Sequence, residues 1–288
     1  MDSFIRKLRE DDTPELIEIA KTTWEGRDHL PQMLEHWLSD SNCFPFVMEI
    51  DSKVVSVATL KIMDQGTTGW MEGLRVHPEF RERGFAAQMT NHLLHIATKN
   101  KLDKIRLVTA KETPAPQKLA EFVGMNVIGQ YSVFWKGYRR NFRWIHETDS
   151  VERMEKSEVI DFVQNHTGIF PNRVLIHHWY VFDPIPQNLD IIAETSTEFW
   201  FGDGSSASFS SGFQHETRYG SQWCFTIYAS TPDGFLSNLS THLHHARMKN
   251  IRNLMCIHPP EFQELYSQVK WLKRRNHGIQ LLLFERVL

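Results

Sequence analysis

Leu74-Arg75-Val76-His77-Pro78-Glu79-Phe80-Arg81-Glu82-Arg83-Gly84-Phe85-Ala86 marks the place where one kind of local structure gives way to another. Upstream, Trp70 to Val76 is a β-rich run that Pro78 halts. Downstream, Ala86, Met89, Leu93, Leu94, Ile96 and Ala97 recur at spacings of three and four, which predicts an amphipathic helix. A strand therefore turns into a helix across Arg81–Ala86. A helix start offers unpaired amides and the positive end of its dipole, and successive amides in a tight turn form a nest for an anion. Gly84 lets the backbone approach an oxygen, Ala86 keeps the next turn small, and Arg81 and Arg83 add charge at the rim. The segment predicts a pyrophosphate cradle.

Working outward, Phe46–Ile50 and Val54–Met63 flank Asp51-Ser52-Lys53 as a hairpin, and Phe4–Leu8 is a short opening strand. Thr13-Pro14 starts a helix, with Asp12 or Thr13 as its cap. Lys104–Thr109 is a strand, the helix Gln117–Val123 ends at a left-handed Gly124, and Val127–Trp135 closes this half. The second half repeats the order. Glu198–Phe201 and Ala207–Phe209 form a hairpin, Trp223–Ala229 is a strand stopped by Pro232, and Leu236, Leu239, Leu243 and Ala246 share a helical face. Asn253–Ile257, the helix Glu261–Leu272 and the strand Gly278–Val287 complete it. The expectation is an α/β chain of tandem units, 1–146 and 147–288, each a mixed twisted sheet flanked by helices, with the boundary in His146–Ser150. At the position matching the phosphate loop the second half has Thr231-Pro232-Asp233-Gly234-Phe235-Leu236, where only the glycine survives. It reads as a degenerate copy that binds no cofactor.

Composition narrows the function classes. With 41% hydrophobic and 23% charged residues, the 288-residue chain is globular and not disordered. No run approaches the length of a membrane span, and Met1–Lys7 lacks a signal-peptide core, so a soluble cytoplasmic protein without membrane partners is expected. A net charge of −3 gives no bulk field for nucleic acid, and the basic run Lys270–Arg275 reads as a solvated helix end. Cys43, Cys224 and Cys256 read as buried free thiols. His92/His95 and His242/His245 are spaced for a shared metal but lack a third ligand, so no metal is expected. The sequence sets no oligomeric state, and a monomer is compatible with it.

Arg81-x-x-Gly84-x-Ala86 resembles the pyrophosphate loop of the GCN5-related N-acetyltransferase superfamily (GNAT), and Ile5–Asp12 resembles that family's first strand and helix lead-in. The likeness runs over roughly residues 3–136. A narrower one, to the histidine N-acetyltransferase group of animals, spans the chain. It rests on Trp24–Pro31, on Glu72–Val76, and on Ile176-His177-His178-Trp179 with Pro184 and Asn188-Leu189. These resemblances imply acetyl-coenzyme A as co-substrate and acetyl transfer to the α-amine of a free amino acid, L-histidine, by direct attack of the amine on the thioester. Alternatives are another amine (a different amino acid, a polyamine, a protein N-terminus) or a non-catalytic acyl-coenzyme A binding module. The last is prompted by Ala120, four residues before Gly124, where many family members carry a tyrosine as the acid; Tyr131 or Tyr138 could replace it, or water could protonate the departing thiolate.

Alternation along 70–76 puts Glu72, Leu74 and Val76 on one face and Met71, Gly73 and Arg75 on the other. Glu72 is the candidate general base for the amine proton. The cofactor-binding set is the main chain of Leu74, Arg75 and Val76, placed by the resemblance near the thioester and pantetheine, with Arg81, Glu82, Arg83, Gly84, Phe85 and Ala86 at the pyrophosphate. For the acceptor, Trp24 offers an aromatic face, Arg27 a fork that matches a carboxylate, and Glu25 or Asp28 a partner for an ammonium or imidazolium group. His178 and Trp179 are the candidate pocket-side residues from the second half.

Overall fold

Short apolar runs rich in Val, Ile and Phe, broken by Asp-Ser, Gly-Thr and Pro signals, produce fourteen strands and eight α-helices among the described residues. The computed structural model describes residues 3–23, 26, 28–137, 151–202, 207–217, 220–267, 269–273 and 277–288. The chain forms two units. The first holds Met1–Thr109, Thr113–Val127 and Phe284–Leu288; the second holds Ala110–Glu112 and Ile128–Leu283. The boundary expected near residue 146 lies outside the described residues. Among them, no helix is long and apolar enough to cross a membrane.

In the first unit, β1 (Ser3–Lys7), β2 (Cys43–Ile50), β3 (Lys53–Met63) and β4 (Thr68–Val76) are successive antiparallel neighbours, and β5 (Lys104–Ala110) lies parallel to β4. Helices α1 (Thr13–Lys21) and α2 (Leu30–Ser39) precede β2, α3 (Phe85–Lys99) links β4 to β5, and α4 (Pro114–Phe122) follows β5. Leu16, Ile19, Leu30, Leu34 and Trp37 form the inner stripes of α1 and α2 and pack on Val47, Val54 and Val57 of the sheet. Asp12 does not cap α1 with its side chain; it is buried in a pair with Arg6, whose guanidinium holds the Asp12 carboxyl below the usual range. Gly124 takes the left-handed conformation expected of it, at φ 78°.

The second unit contains β6 (Asn126–Gly137, from Ile128 on), β7 (Glu152–Arg153), α5 (Val159–Asn165), β8 (Leu175–His177), β9 (Tyr180–Phe182), α6 (Pro186–Thr195) and β10 (Glu198–Gly202). It continues through β11 (Ser208–Thr217), β12 (Gly220–Ala229), α7 (Pro232–Met248), β13 (Asn253–His258), α8 (Lys270–Lys273) and the first part of β14 (His277–Val287). Its strands run in the order β6-β13-β12-β11-β10-β7. Trp223, Phe225, Phe235, Leu239, Leu243, Leu254 and Cys256 make the core between α7 and this sheet.

The closing strands differ from the sequence reading. The run at 127–135 falls in the second unit almost entirely, and Phe284–Leu288 completes the first. The reason is local chemistry: Arg106 is 3% exposed and needs a carboxylate, which Glu285 supplies at 2.7 Å. Arg286 Nη1 donates to the Val123 carbonyl at 2.6 Å, and the Leu288 amide donates to the Asp103 carbonyl at 2.9 Å.

Candidate functional site

The parallel pairing of β4 with β5 covers Thr68↔Lys104, Gly69↔Ile105 and Trp70↔Arg106 and then stops. Past that point β4 from Glu72 and β5 from Leu107 change from buried to half-buried, and the ladder between the two strands does not continue. On its other side β4 carries one extra residue. Thr59 pairs with Glu72 but Val57 pairs with Arg75, and the insertion falls at Gly73, which takes φ 71°. Val57 and Thr59 are two apart and share a face, so their partners Glu72 and Arg75 share it as well. This corrects the alternation expected from the sequence: the bulge brings Arg75 to the side of Glu72.

That face lies under α1 and α2. Trp37, 1% exposed, donates from Nε1 to Glu72 Oε1 at 2.8 Å. Arg75 reaches Asp28 through Nε at 2.7 Å and Nη2 at 3.0 Å, and also donates to its neighbour Leu74's carbonyl at 2.9 Å. Asp28 is buried and also accepts from the Leu30 amide at 3.1 Å, so it fixes the start of α2 against β4. A carboxylate so engaged is structural before it is a ligand for an acceptor cation. Trp24, Glu25 and Arg27 lie outside the described residues.

The phosphate-loop residues follow at the strand end. Glu82 and Gly84 have φ 61° and 81°, the left-handed turns that line up successive amides. Gly84 is the N-cap of α3, no side chain caps that helix, and a Cβ built on Gly84 meets nothing within 4 Å. The first amides of this 15-residue helix thus have no side-chain cap and lie next in sequence to exposed Arg81 and Arg83. Arg81 Nε donates to the Val76 carbonyl at 3.1 Å, and the Arg83 guanidinium lies 5.2 Å above the Phe80 ring, which tethers both cations to the rim. Phe85, half-buried, tilts toward Phe80 at 6.5 Å. Backbone amides, an open cap and two flanking cations are the donor set a pyrophosphate needs.

The corresponding part of the second unit is built differently. The Thr231 hydroxyl accepts from the Gly234 amide at 3.2 Å and caps α7 itself. Gly234 is buried inside α7 and not at its cap, so the glycine shared with the first half is a coincidence of letters and not of position. Strand β13 pairs with β12 from Asn253 to Ile257 and with β6 from Asn253 to His258, leaving no gap along it. His178 sits in the turn between β8 and β9 with its ring 4.9 Å from His215 and 5.8 Å from Phe213, and Trp179 lies 5.8 Å from Trp135. Next to them His177 is buried against Thr195 and pushed down to about 4, hence neutral at pH 7.

Ala120 is a buried methyl, and the hydroxyl of buried Tyr131 points to the Pro171 carbonyl at 3.5 Å; Tyr138 lies outside the described residues. The three cysteines are buried, and burial raises Cys43 and Cys224 to about 12, which makes poor nucleophiles of them. His36, Asp40 and Cys43 are close enough to share an ion, but Lys61 Nζ already stands among them, 3.0 Å from Asp40 and 3.1 Å from His36. Buried His242 accepts from Trp223 at 3.1 Å through Nδ1.

Residues 5–125 match the model of the acetyltransferase (GNAT) family, and residues 147–259 match that of the histidine N-acetyltransferase C-terminal region. A histidine N-acetyltransferase of Oreochromis niloticus is 22% identical over 241 residues, 75% of this chain and 70% of that protein. One of Scomber australasicus is 21% identical over 238 residues with the same coverage of both. Among solved structures, a GCN5-related N-acetyltransferase from Sphaerobacter thermophilus has a TM-score of 0.63 at 10% identity, covering 99% of this chain and 95% of that one. A tandem GNAT protein from the clavulanic acid biosynthesis pathway has 0.60 at 11% identity over 99% and 98%; identities this low speak for the fold alone. Residues 5–125 are thus a GNAT-family region, and the chain is an N-acetyltransferase that resembles the histidine N-acetyltransferases of animals.

Proposed function

We propose that this N-acetyltransferase uses acetyl-coenzyme A to acetylate the α-amine of a free amino acid, L-histidine. The observation that carries the reading is the end of the β4–β5 ladder ahead of the uncapped start of α3. The relatives named histidine N-acetyltransferase support the acceptor. When bound, acetyl-coenzyme A supplies an acetyl group activated as a thioester. Amides at Gly84, Phe85 and Ala86, with Arg81 and Arg83 at the rim, hold its pyrophosphate. The main chain of Leu74 to Val76, beyond the end of the β4–β5 ladder, holds the pantetheine arm and polarises the carbonyl through an amide near the bulge. Glu72 takes the amine's proton, directly or through one water, as nitrogen bonds to the acyl carbon and the carbon–sulfur bond breaks. Ala120 has no proton to give, so the departing sulfur is protonated from water. Arg27 and Trp24 remain the proposed contacts for the acceptor's carboxylate and ring, while the second unit supports the fold and binds no cofactor.

Release of coenzyme A, followed with a thiol reagent across the twenty amino acids, short peptides and polyamines, tests the acceptor. L-Histidine should give the highest kcat/KM. Equal rates on all amines, or a preference for peptides or polyamines, would replace it. The cofactor site is tested by Gly84→Val. At φ 81° valine strains the turn by roughly 1–2 kcal/mol, and its methyls occupy the space that the missing Cβ leaves open. Calorimetric titration should give one acetyl-coenzyme A per chain in the wild type and much weaker binding in the folded variant. Two equivalent sites, or unchanged affinity in Gly84→Val, would remove this assignment.

A further inference from the structure

Trp37 belongs to no motif, yet it ties α2 to the reacting region at two points. Its indole N–H donates to Glu72 Oε1 at 2.8 Å. Its ring lies against Gly73 so closely that a Cβ there would come 2.1 Å from Cη2 and 2.5 Å from Cζ2. Both contacts are held from a fully buried side chain on the stripe Leu30, Leu34, Trp37, so the indole has little freedom to move. A donor aimed at a carboxylate oxygen favours the ionised form and lowers its pKa. It also restricts rotation of the carboxylate. The contact with Gly73 excludes any side chain at the bulge and so secures the extra residue that sets Glu72 and Arg75 on one face.

We propose that Trp37 is a positioning residue for acetyl transfer: its N–H keeps Glu72 ionised and fixed beyond the end of the β4–β5 ladder, while its ring maintains the Gly73 bulge. The proposal rests on the reading of Glu72 as general base. A base works when deprotonated, so removing the donor should raise the pKa at which Glu72 becomes active and move the acid limb of the rate profile to higher pH.

The test is the pH dependence of kcat/KM for the full chain as wild type, Trp37→Phe and Glu72→Gln, with folding checked by circular dichroism and acetyl-coenzyme A affinity measured alongside. Trp37→Phe should shift the acid limb upward by about one pH unit, the size expected for one lost hydrogen bond to a charged group. Much of the rate should return at alkaline pH, and cofactor affinity should stay near wild type. Where Trp37→Phe fails to fold, 3-benzothienylalanine at position 37 keeps the bicyclic shape without the N–H, and the same shift is expected. A folded variant whose rate falls with the limb unmoved would show a merely structural tryptophan and overturn the proposal. If Glu72→Gln erases the limb while the position 37 variants leave it in place, only the role of Trp37 fails. Should Glu72→Gln keep the wild-type profile, the base assignment falls and the role of Trp37 with it.

Discussion

Glu72→Gln is expected to lower kcat at neutral pH by roughly 10²–10⁴, the range of general-base catalysis when proton removal limits the rate. Glutamine keeps the volume, and its amide oxygen can still accept from Trp37 Nε1, so the fold and the bulge should persist. What it loses is the basic oxygen. The wild-type rate falls as pH drops through the pKa of the base; the variant, with no group to protonate at that position, should show a flat acid side at its reduced level. Coenzyme A release measured across the stable pH range decides the matter, and wild-type rates at every pH would leave Glu72 with a structural task only.

The second large effect is expected on stability. A chain ending at Phe284 removes the Glu285 carboxylate 2.7 Å from Arg106, the Arg286 bond to the Val123 carbonyl and the Leu288 amide bond to Asp103. Arg106 is buried, and Asp64 Oδ2 stands farther away, at 3.5 Å. Removing one partner of a buried ion pair costs about 3–5 kcal/mol, a large share of the roughly 5–15 kcal/mol that holds a domain together. The urea midpoint should fall sharply, with activity lost in parallel, and a chain ending near residue 146 should be poorly soluble or inactive for the same reason. An unchanged midpoint, or a fully active first half, would show that the first unit does not depend on this segment.

Features decided by a few adjacent residues are legible in the sequence. The Asp51-Ser52 turn has φ 48° and 63°, Gly124 caps its helix, and Gly84 stands where strand turns to helix, all as local chemistry requires. The face of Arg75 cannot be read from alternation, since one inserted residue reverses it; a glycine inside a strand is the available signal for a bulge, and Gly73 supplies it. Trp37 leaves no trace in the sequence beyond an apolar helical stripe, as its bond to Glu72 spans 35 positions. Asp28 reads as a ligand because a polar loop residue carries no mark of the arginine it will meet. Periodicity likewise says that 127–135 and 278–287 are strands but not which neighbours they choose.

The interleaving of the chain imposes an order on its biosynthesis. Ribosomal elongation at roughly 5–20 residues per second puts an interval on the order of ten seconds or more between Val127 and Phe284. Throughout that interval the nascent first unit holds Arg106 without Glu285, so it waits unfinished while the second unit is made. A premature stop anywhere in 128–283 is therefore expected to leave the unit that carries Glu72 and Gly84 without its closing segment, even though the codons of both residues have already been translated.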